Sequence, residues 1–407
     1  MTWMKKTLGL AVAVSMCVGC TSASPISSES ENPEPVEISA EDRDRYFEFA
    51  WTLFNENRQE KTSELISPLS ALYALGMAAN GASGETRTQM EEALHLDVDQ
   101  INALSHALLS SNNTGANGQL RLANSMWVRK DSADQLKDSF NQILERDYQA
   151  QSFESNFDAS AQKEINAWIE EKTGGMIREL NLNLDSSTMM VLLDALAFDA
   201  QWAVEYDDQN IASGIFHNAD GSESEVTTLH SLESSWIESQ GLQGTIKPYE
   251  GEDFSLVLLM PKEDKTLDET LENIDPQKLL EDIRLAEKAD VQTTFPEFEL
   301  SQEILLNESL QKMGMVDAFD GQADFSNMMD ASLAISEVLQ KTRIEVNRTG
   351  TKAAAVTSVE IKETAMIVQE EKEIIFDRPF LFILMNGDLP ILMGTVQSMD
   401  ATVESGN

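Results

Sequence analysis

A chain of 407 residues with 70 Asp and Glu against 29 Lys and Arg carries a formal charge of −41. Such a surface cannot neutralise a phosphate backbone, which excludes nucleic-acid binding. The hydrophobic content of 42% supports a globular core, the mean hydropathy of −0.28 argues against a polytopic membrane protein, and the length has room for one large domain or two ordinary ones.

The chain opens with Lys5 and Lys6 ahead of an apolar run, Leu8 to Val18, too short to span a bilayer. The run ends at Cys17-Val-Gly-Cys20, which resembles a bacterial lipobox with Cys20 as the acylated residue. Cys17 departs from that pattern, where an aliphatic side chain is usual. A Cys-x-x-Cys redox pair and plain leader cleavage are the competing readings. These are the only cysteines, so no intramolecular disulfide is expected in the mature chain. Thr21 rather than Asp follows Cys20, so the expected destination is the outer membrane, through a lipid anchor and not a span, or secretion. The expected layout is a lipoprotein leader over 1–19, a flexible Ser/Glu/Pro-rich tether over 20–40, a folded domain over 41–402 and a short tail over 403–407.

Helical spacing begins at Glu41, with Tyr46, Phe49, Ala50, Leu53 and Phe54 on one face. Ser67-Pro68 marks a second helix start, and Gly81 to Gly84 breaks it before Thr86–Leu96 resumes. Residues 111–119 read as a loop and Leu120–Val128 as an alternating strand. Phe140–Leu180 reads as mainly helical. Met189–Phe198 is a near-continuous apolar run, consistent with a buried strand, and Asp194 interrupts it. Strands follow at Trp236–Ile246 and Phe254–Met260, with turns at Gly241, Gly244 and Pro261. A helix over about 267–288, a strand over Val291–Phe298 and a helix over Gln302–Met313 complete this part. The mixture has no βαβ alternation and no repeat, which predicts an α+β fold.

No enzyme motif emerges. His95, His106, His217 and His230 lack zinc spacing, and there is no Gly-x-Ser-x-Gly elbow or phosphate loop. Acidic pairs such as Asp207-Asp208 are the background of so acidic a chain. No catalytic residue, metal or cofactor is expected.

The informative stretch runs from Lys341 to Met366. After Gly350 its alternate positions separate. Thr351, Ala353, Ala355, Thr357, Val359 and Ile361 are small or apolar, whereas Lys352, Ala354, Val356, Ser358, Glu360 and Lys362 carry the charges. No Pro or Gly lies between Thr351 and Arg378, so every N–H can join a ladder. The segment is able to be a strand with one buried face. A surface loop, or a short helix over Lys352–Ser358, fits the same residues.

Lys341-Thr-Arg-Ile-Glu-Val-Asn347 followed by Gly350-Thr-Lys-Ala-Ala-Ala355 resembles the hinge of the serpins. Other segments of the same family are resembled by Ser67-Pro68-Leu69-Ser70 near the N-terminus, by Ile165-Asn-Ala-Trp168 in an inter-element helix, and by Asp324-Phe-Ser326 and Arg378-Pro-Phe-Leu-Phe382 with Gly394 in the C-terminal third. These blocks stand in the family's order over about residues 41–400. The resemblance implies three β-sheets, about eight or nine helices and an exposed reactive-centre loop over about 350–375. It implies a monomeric inhibitor that traps a serine protease, or a cysteine protease, as an acyl complex when the cut loop inserts into the central sheet. A non-inhibitory binding protein on the same fold is the alternative. The implied hinge is Gly350, Thr351, Lys352, Ala353, Ala354, Ala355, Val356 and Thr357, small enough to insert first. The implied scissile bond is Thr364–Ala365, with Met366–Ile367 as runner-up, and Thr-Ala suits elastase-like or subtilisin-like proteases. About fourteen inserted residues at roughly 3.3 Å each would span roughly 45 Å. Ser67, Ser70, Asp194 and Gln340 match the region that gates sheet opening. Asp194 and Gln340 replace the family's usual Asn and His, and the expectation is that Asp194 pairs with Gln340 or a serine hydroxyl.

Overall fold

The computed structural model describes residues 38–111, 120–351 and 371–399, apart from positions 132, 159, 181, 183, 185–187, 189, 252, 263, 264, 331 and 332. Helix α1 (Ala40–Asn57) starts where the Ser39 side chain accepts from the Asp42 amide at 3.1 Å, and it buries the expected stripe of Tyr46, Phe49, Ala50, Leu53 and Phe54. After β1 (Glu64–Ile66), Ser67 caps α2 (Pro68–Gly81) and Pro68 occupies its first turn. Helix α2 is buried along nearly its whole length, because it runs between α1, α4 and α5 on one side and strands on the other. Helices α3 (Gly84–Leu94) and α4 (Val98–Ser111) follow.

Next come β2 (Leu120–Arg129), α5 (Asp138–Tyr148), β3 (Gln151–Ser155), α6 (Ala161–Lys172), β4 (Met190–Phe198) and β5 (Ala200–Gln201). The middle of the chain is β6 (Ile211–His217), β7 (Glu223–Ser239), β8 (Leu242–Pro248) and β9 (Phe254–Pro261). Helices α7 (Leu267–Leu271) and α8 (Pro276–Arg284) lead to β10 (Glu287–Pro296), β11 (Phe298–Leu305) and α9 (Asn307–Lys312). The last strands are β12 (Leu339–Asn347), β13 (Gly350–Thr351), β14 (Glu371–Ile375), β15 (Phe380–Asn386) and β16 (Leu389–Val396).

The fold is α+β, with nine α-helices among the described residues. Strand order β1-β16-β15-β9-β8-β7-β10-β14, with β6 on β7, forms two sheets that share the long β7. That strand pairs with β6 and β10 over most of its length and with β8 through its last three residues. The third sheet is split. One part is β3-β2-β4, the other β11-β12-β13-β5, and only Asp199 separates β4 from β5. Strands β15 and β16 are buried at almost every position, because α1 and α2 cover β16. Each fully buried Phe or Leu there contributes about 1.5–3 kcal/mol before entropy is counted.

Four expectations need correction. The helical reading of Phe140–Leu180 is interrupted by β3, which pairs parallel with β2 and stacks Phe153 on Trp127 at 4.5 Å. Packing against a neighbour overrides local propensity there. The single helix over 267–288 is two helices, because Asp275 caps a new one at Pro276, and β10 begins at Glu287. Gly244 is no turn; it lies inside β8, where its bare Cα faces the Leu258 carbonyl of β9. Residues 302–305 continue β11 instead of starting a helix, since each pairs with β12 from Thr342 to Leu339.

Gln302 also explains how β1 is held. Its amide oxygen accepts from the Leu65 N–H at 2.5 Å, and its nitrogen donates to the Glu64 carboxylate. Glu64 is only 4% exposed. Burial pushes its carboxyl from an ordinary value of 4.5 to about 7, against the opposing Gln302 hydrogen bond, the Gln59 backbone and Arg58. The folded state therefore holds this proton more tightly than the unfolded chain. The contribution is full below pH 4.5 and falls by roughly 3 kcal/mol as pH rises to about 7. Glu64→Gln keeps an acceptor for Gln302 and removes the titration. It should melt close to wild type at pH 5 and above it at pH 8, and the difference in melting temperature against pH is the measurement.

Candidate functional site

Strand β12 alternates. Gln340, Thr342, Ile344 and Val346 are buried, and the residues between them are half-buried. One edge of β12 is paired with β11 throughout. Among the described residues its other edge is paired only at the top, where Thr351 faces Val346 and Gly350 faces Asn347. Gly350 and Thr351 also pair with Gln201 and Ala200 of β5. Below that point β12 lies beside β4, yet no ladder joins them among the described residues. Two strand edges thus face one slot, and two residues of β13 already occupy its mouth.

The mouth is closely fitted. Gly350 has a φ of +146°, and a Cβ there would come within 2.1 Å of the Ala200 carbonyl oxygen. The Thr351 hydroxyl lies 2.8 Å from the Tyr249 hydroxyl, and Thr351 is 2% exposed. Tyr249 stacks on Trp202 at 4.4 Å and 16°. The Trp202 indole N–H donates to the Asn347 carbonyl at 2.8 Å, and its backbone N–H donates to the Thr349 carbonyl at 3.2 Å. Burial raises the Tyr249 hydroxyl pKa far above the usual phenol range, so it stays a neutral donor and acceptor.

The foot of the slot has its own clasp. Gln340 accepts from the Ser67 N–H at 2.7 Å and donates to the Ser67 carbonyl at 2.8 Å. The Ser67 hydroxyl donates to the Ile391 carbonyl at 3.0 Å and accepts from the Ser70 N–H at 3.1 Å. The Thr342 hydroxyl donates to the Leu65 carbonyl at 3.1 Å. Beneath Gln340, the small side chains Ser70, Ala71 and Ala74 leave a cavity of about 40 Å³.

Three of the four expected gating residues, Ser67, Ser70 and Gln340, therefore meet at one place. Both amide atoms of Gln340 engage Ser67. The backbone of Asp194 pairs with Asn124, and its side chain lies outside the described residues. So do the hinge positions Lys352, Ala353, Ala354, Ala355, Val356 and Thr357, the candidate bonds Thr364–Ala365 and Met366–Ile367, and Cys20. Trp202, Tyr249 and Lys247 were missed by sequence reasoning. Tyr249 follows Lys247-Pro248 at the end of β8, where a lysine beside a proline reads as surface.

His230 lies 2.9 Å from the Thr294 hydroxyl and 3.1 Å from the Thr228 hydroxyl, and His106 is buried 3.7 Å from Asp147. Among the described residues no group of three or more His, Cys, Asp or Glu could hold a metal, and no helix is long and apolar enough to cross a membrane.

The family model described as Serpin (serine protease inhibitor) matches residues 45–399. The chain belongs to the serpin family. It is 33% identical to the leukocyte elastase inhibitor of Bos taurus over 335 residues, 78% of this chain and 88% of that one. Its structure is similar to the thermophilic serpin tengpin in the native state, with a TM-score of 0.84 and 34% identity over 93% of this chain and 100% of that one. Tengpin in the latent state aligns with a TM-score of 0.78 and 33% identity, over 90% of this chain and 100% of that one. Serpins are mostly protease inhibitors, not enzymes, and target serine proteases; some are non-inhibitory.

In this serpin the close approach at Gly350 gives a direct test. Gly350→Ala must push β13 off β5, at a cost of about 1–3 kcal/mol. Chemical denaturation should register that loss, and an unchanged midpoint would mean the mouth is looser than the register implies.

Proposed function

We propose that this serpin inhibits serine proteases as a suicide substrate. The observation that carries the reading is the pair of facing edges on β12 and β4 that no ladder joins among the described residues, with β13 seated between β12 and β5 at one end. Continuing the register of Val346 opposite Thr351 would set Ala353 against Ile344, Ala355 against Thr342 and Thr357 against Gln340. Those three are among the four buried residues of β12, so the small side chains of the hinge would fall on the core face. Lys352 would stand opposite Glu345, an opposite-charge pair on the half-buried face. The greater similarity to tengpin's native than latent state further supports a resting form whose slot is still to be filled.

In the mechanism the protease serine hydroxyl adds to the Thr364 carbonyl. The Thr364–Ala365 bond breaks, Ala365 leaves as a protonated amine, and an acyl ester remains. The freed strand then enters the slot and gains ladder hydrogen bonds and burial. The protease travels with it and is distorted before water cleaves the ester. A cysteine protease would form the equivalent thioester. Elastase-like or subtilisin-like enzymes suit Thr-Ala. The Lys5–Cys20 leader supports a lipid anchor at Cys20 and residence at the cell envelope.

The test is incubation with an elastase-like and a subtilisin-like protease, read by denaturing gel and mass spectrometry. A stable covalent band and a released fragment that begins at Ala365 are expected. Thr351→Arg places a cation on the core face of the inserting strand. It should lose the band and be cleaved as a substrate. Clean cleavage of the wild type without a complex would instead favour a non-inhibitory serpin.

A further inference from the structure

A buried ion pair lies directly behind the mouth. Lys247 of β8 and Glu233 of β7 are 2.9 Å apart, with side chains only 3% and 7% exposed. The same carboxylate oxygen accepts from the Ser231 hydroxyl at 2.6 Å, and that hydroxyl accepts from the Tyr206 hydroxyl at 3.0 Å. The ammonium also sits over two aromatic faces, 5.0 Å from the Trp202 ring centre and 4.6 Å from that of Tyr206. Phe295 closes the cluster edge-on to both rings.

A buried pair of this kind is a poor choice for stability alone. Apolar side chains of similar volume would hold the same core as well or better. What the pair does provide is a fixed point. The cation can face both rings only while Trp202 and Tyr206 keep their present positions. From Trp202 the contacts pass to the slot at once, through the indole N–H on Asn347 and through Tyr249 to Thr351. Tyr206 adds a backbone N–H to the Arg348 carbonyl at 3.3 Å. The hydrogen bonds that Trp202, Tyr206 and Tyr249 make to the mouth thus come from residues whose rings pack on the Lys247 ammonium, or stack beside one that does.

We infer that the Lys247–Glu233 pair is the positioning element of the closed mouth, and that it slows the uncleaved loop from threading into the slot by itself. Its role rests on the inhibitory reading, since a loop that fills its slot before meeting a protease is spent. Lys247 and Glu233 are positioning residues; neither would touch the protease.

The test uses the full chain without any protease. Samples held a few degrees below melting are withdrawn over time, and the inserted form is scored by its greater resistance to heat and urea. The double variant Lys247→Met with Glu233→Leu removes both charges and keeps apolar volume. Its resting form should melt near wild type, yet convert about tenfold faster, once the cation's hold on the rings is lost. Lys247→Arg keeps the cation and should stay nearest the wild-type rate. Should the double variant fail to fold, Trp202→Phe carries the same expectation, because it loses the indole donor and the larger aromatic face. Equal conversion rates in folded variants, or no conversion in any of them, overturn the inference. A freshly prepared wild type that forms no covalent complex sinks the inhibitory reading instead, and leaves these rates readable.

Discussion

The structure turns on the backbone groups along the facing edges of β12 and β4. Amides and carbonyls at a strand edge are a template for another strand. Here that template is held inside the molecule, with the buried residues of β12 lining one side. The rest of the fold can be read as support for that slot. Helix α2 runs beneath β4, β11 secures the far side of β12, and the two outer sheets place Lys247, Tyr249 and Glu233 behind its mouth.

Closure at the two ends uses different chemistry. At the foot, neutral groups saturate one another. Gln340 matches both polar groups of the Ser67 backbone, and the Ser67 hydroxyl serves as helix cap and donor together. Such contacts are worth about 1 kcal/mol each, so the clasp can part when a strand worth more arrives. At the mouth, stacked rings over a buried cation enclose Thr351. Aromatic stacking and a desolvated charge are less forgiving of displacement. A hinge of small residues suits that asymmetry under the proposed insertion, in which it would pass the rings before it meets the softer clasp.

Much of this was legible in the sequence where a pattern is local. Lys341–Asn347, a block that carries the serpin resemblance, forms most of β12, with alternate residues buried. Ser67-Pro68 announced a capped helix start, and the Gly350 position is one that only a residue without a Cβ can fill. What the sequence hid depends on distant partners. Gln302–Leu305 carry helical spacing but lie along β12, because Thr342 to Leu339 offer a ladder. Gln151–Ser155 become a strand only beside β2 and under Trp127. Lys247 reads as a surface lysine until Glu233, Trp202 and Tyr206 are folded around it.

The central claim is that the slot is filled once the loop is cut, and heat tests it most directly. The loop would be nicked by a catalytic amount of a protease that the chain does not trap, and the intact and nicked chains melted side by side by circular dichroism. A new central strand should raise the melting temperature on the order of 20 °C, with the fragments still associated. An unchanged or lower melting temperature after a verified cut would show that the slot stays empty, and would contradict the account.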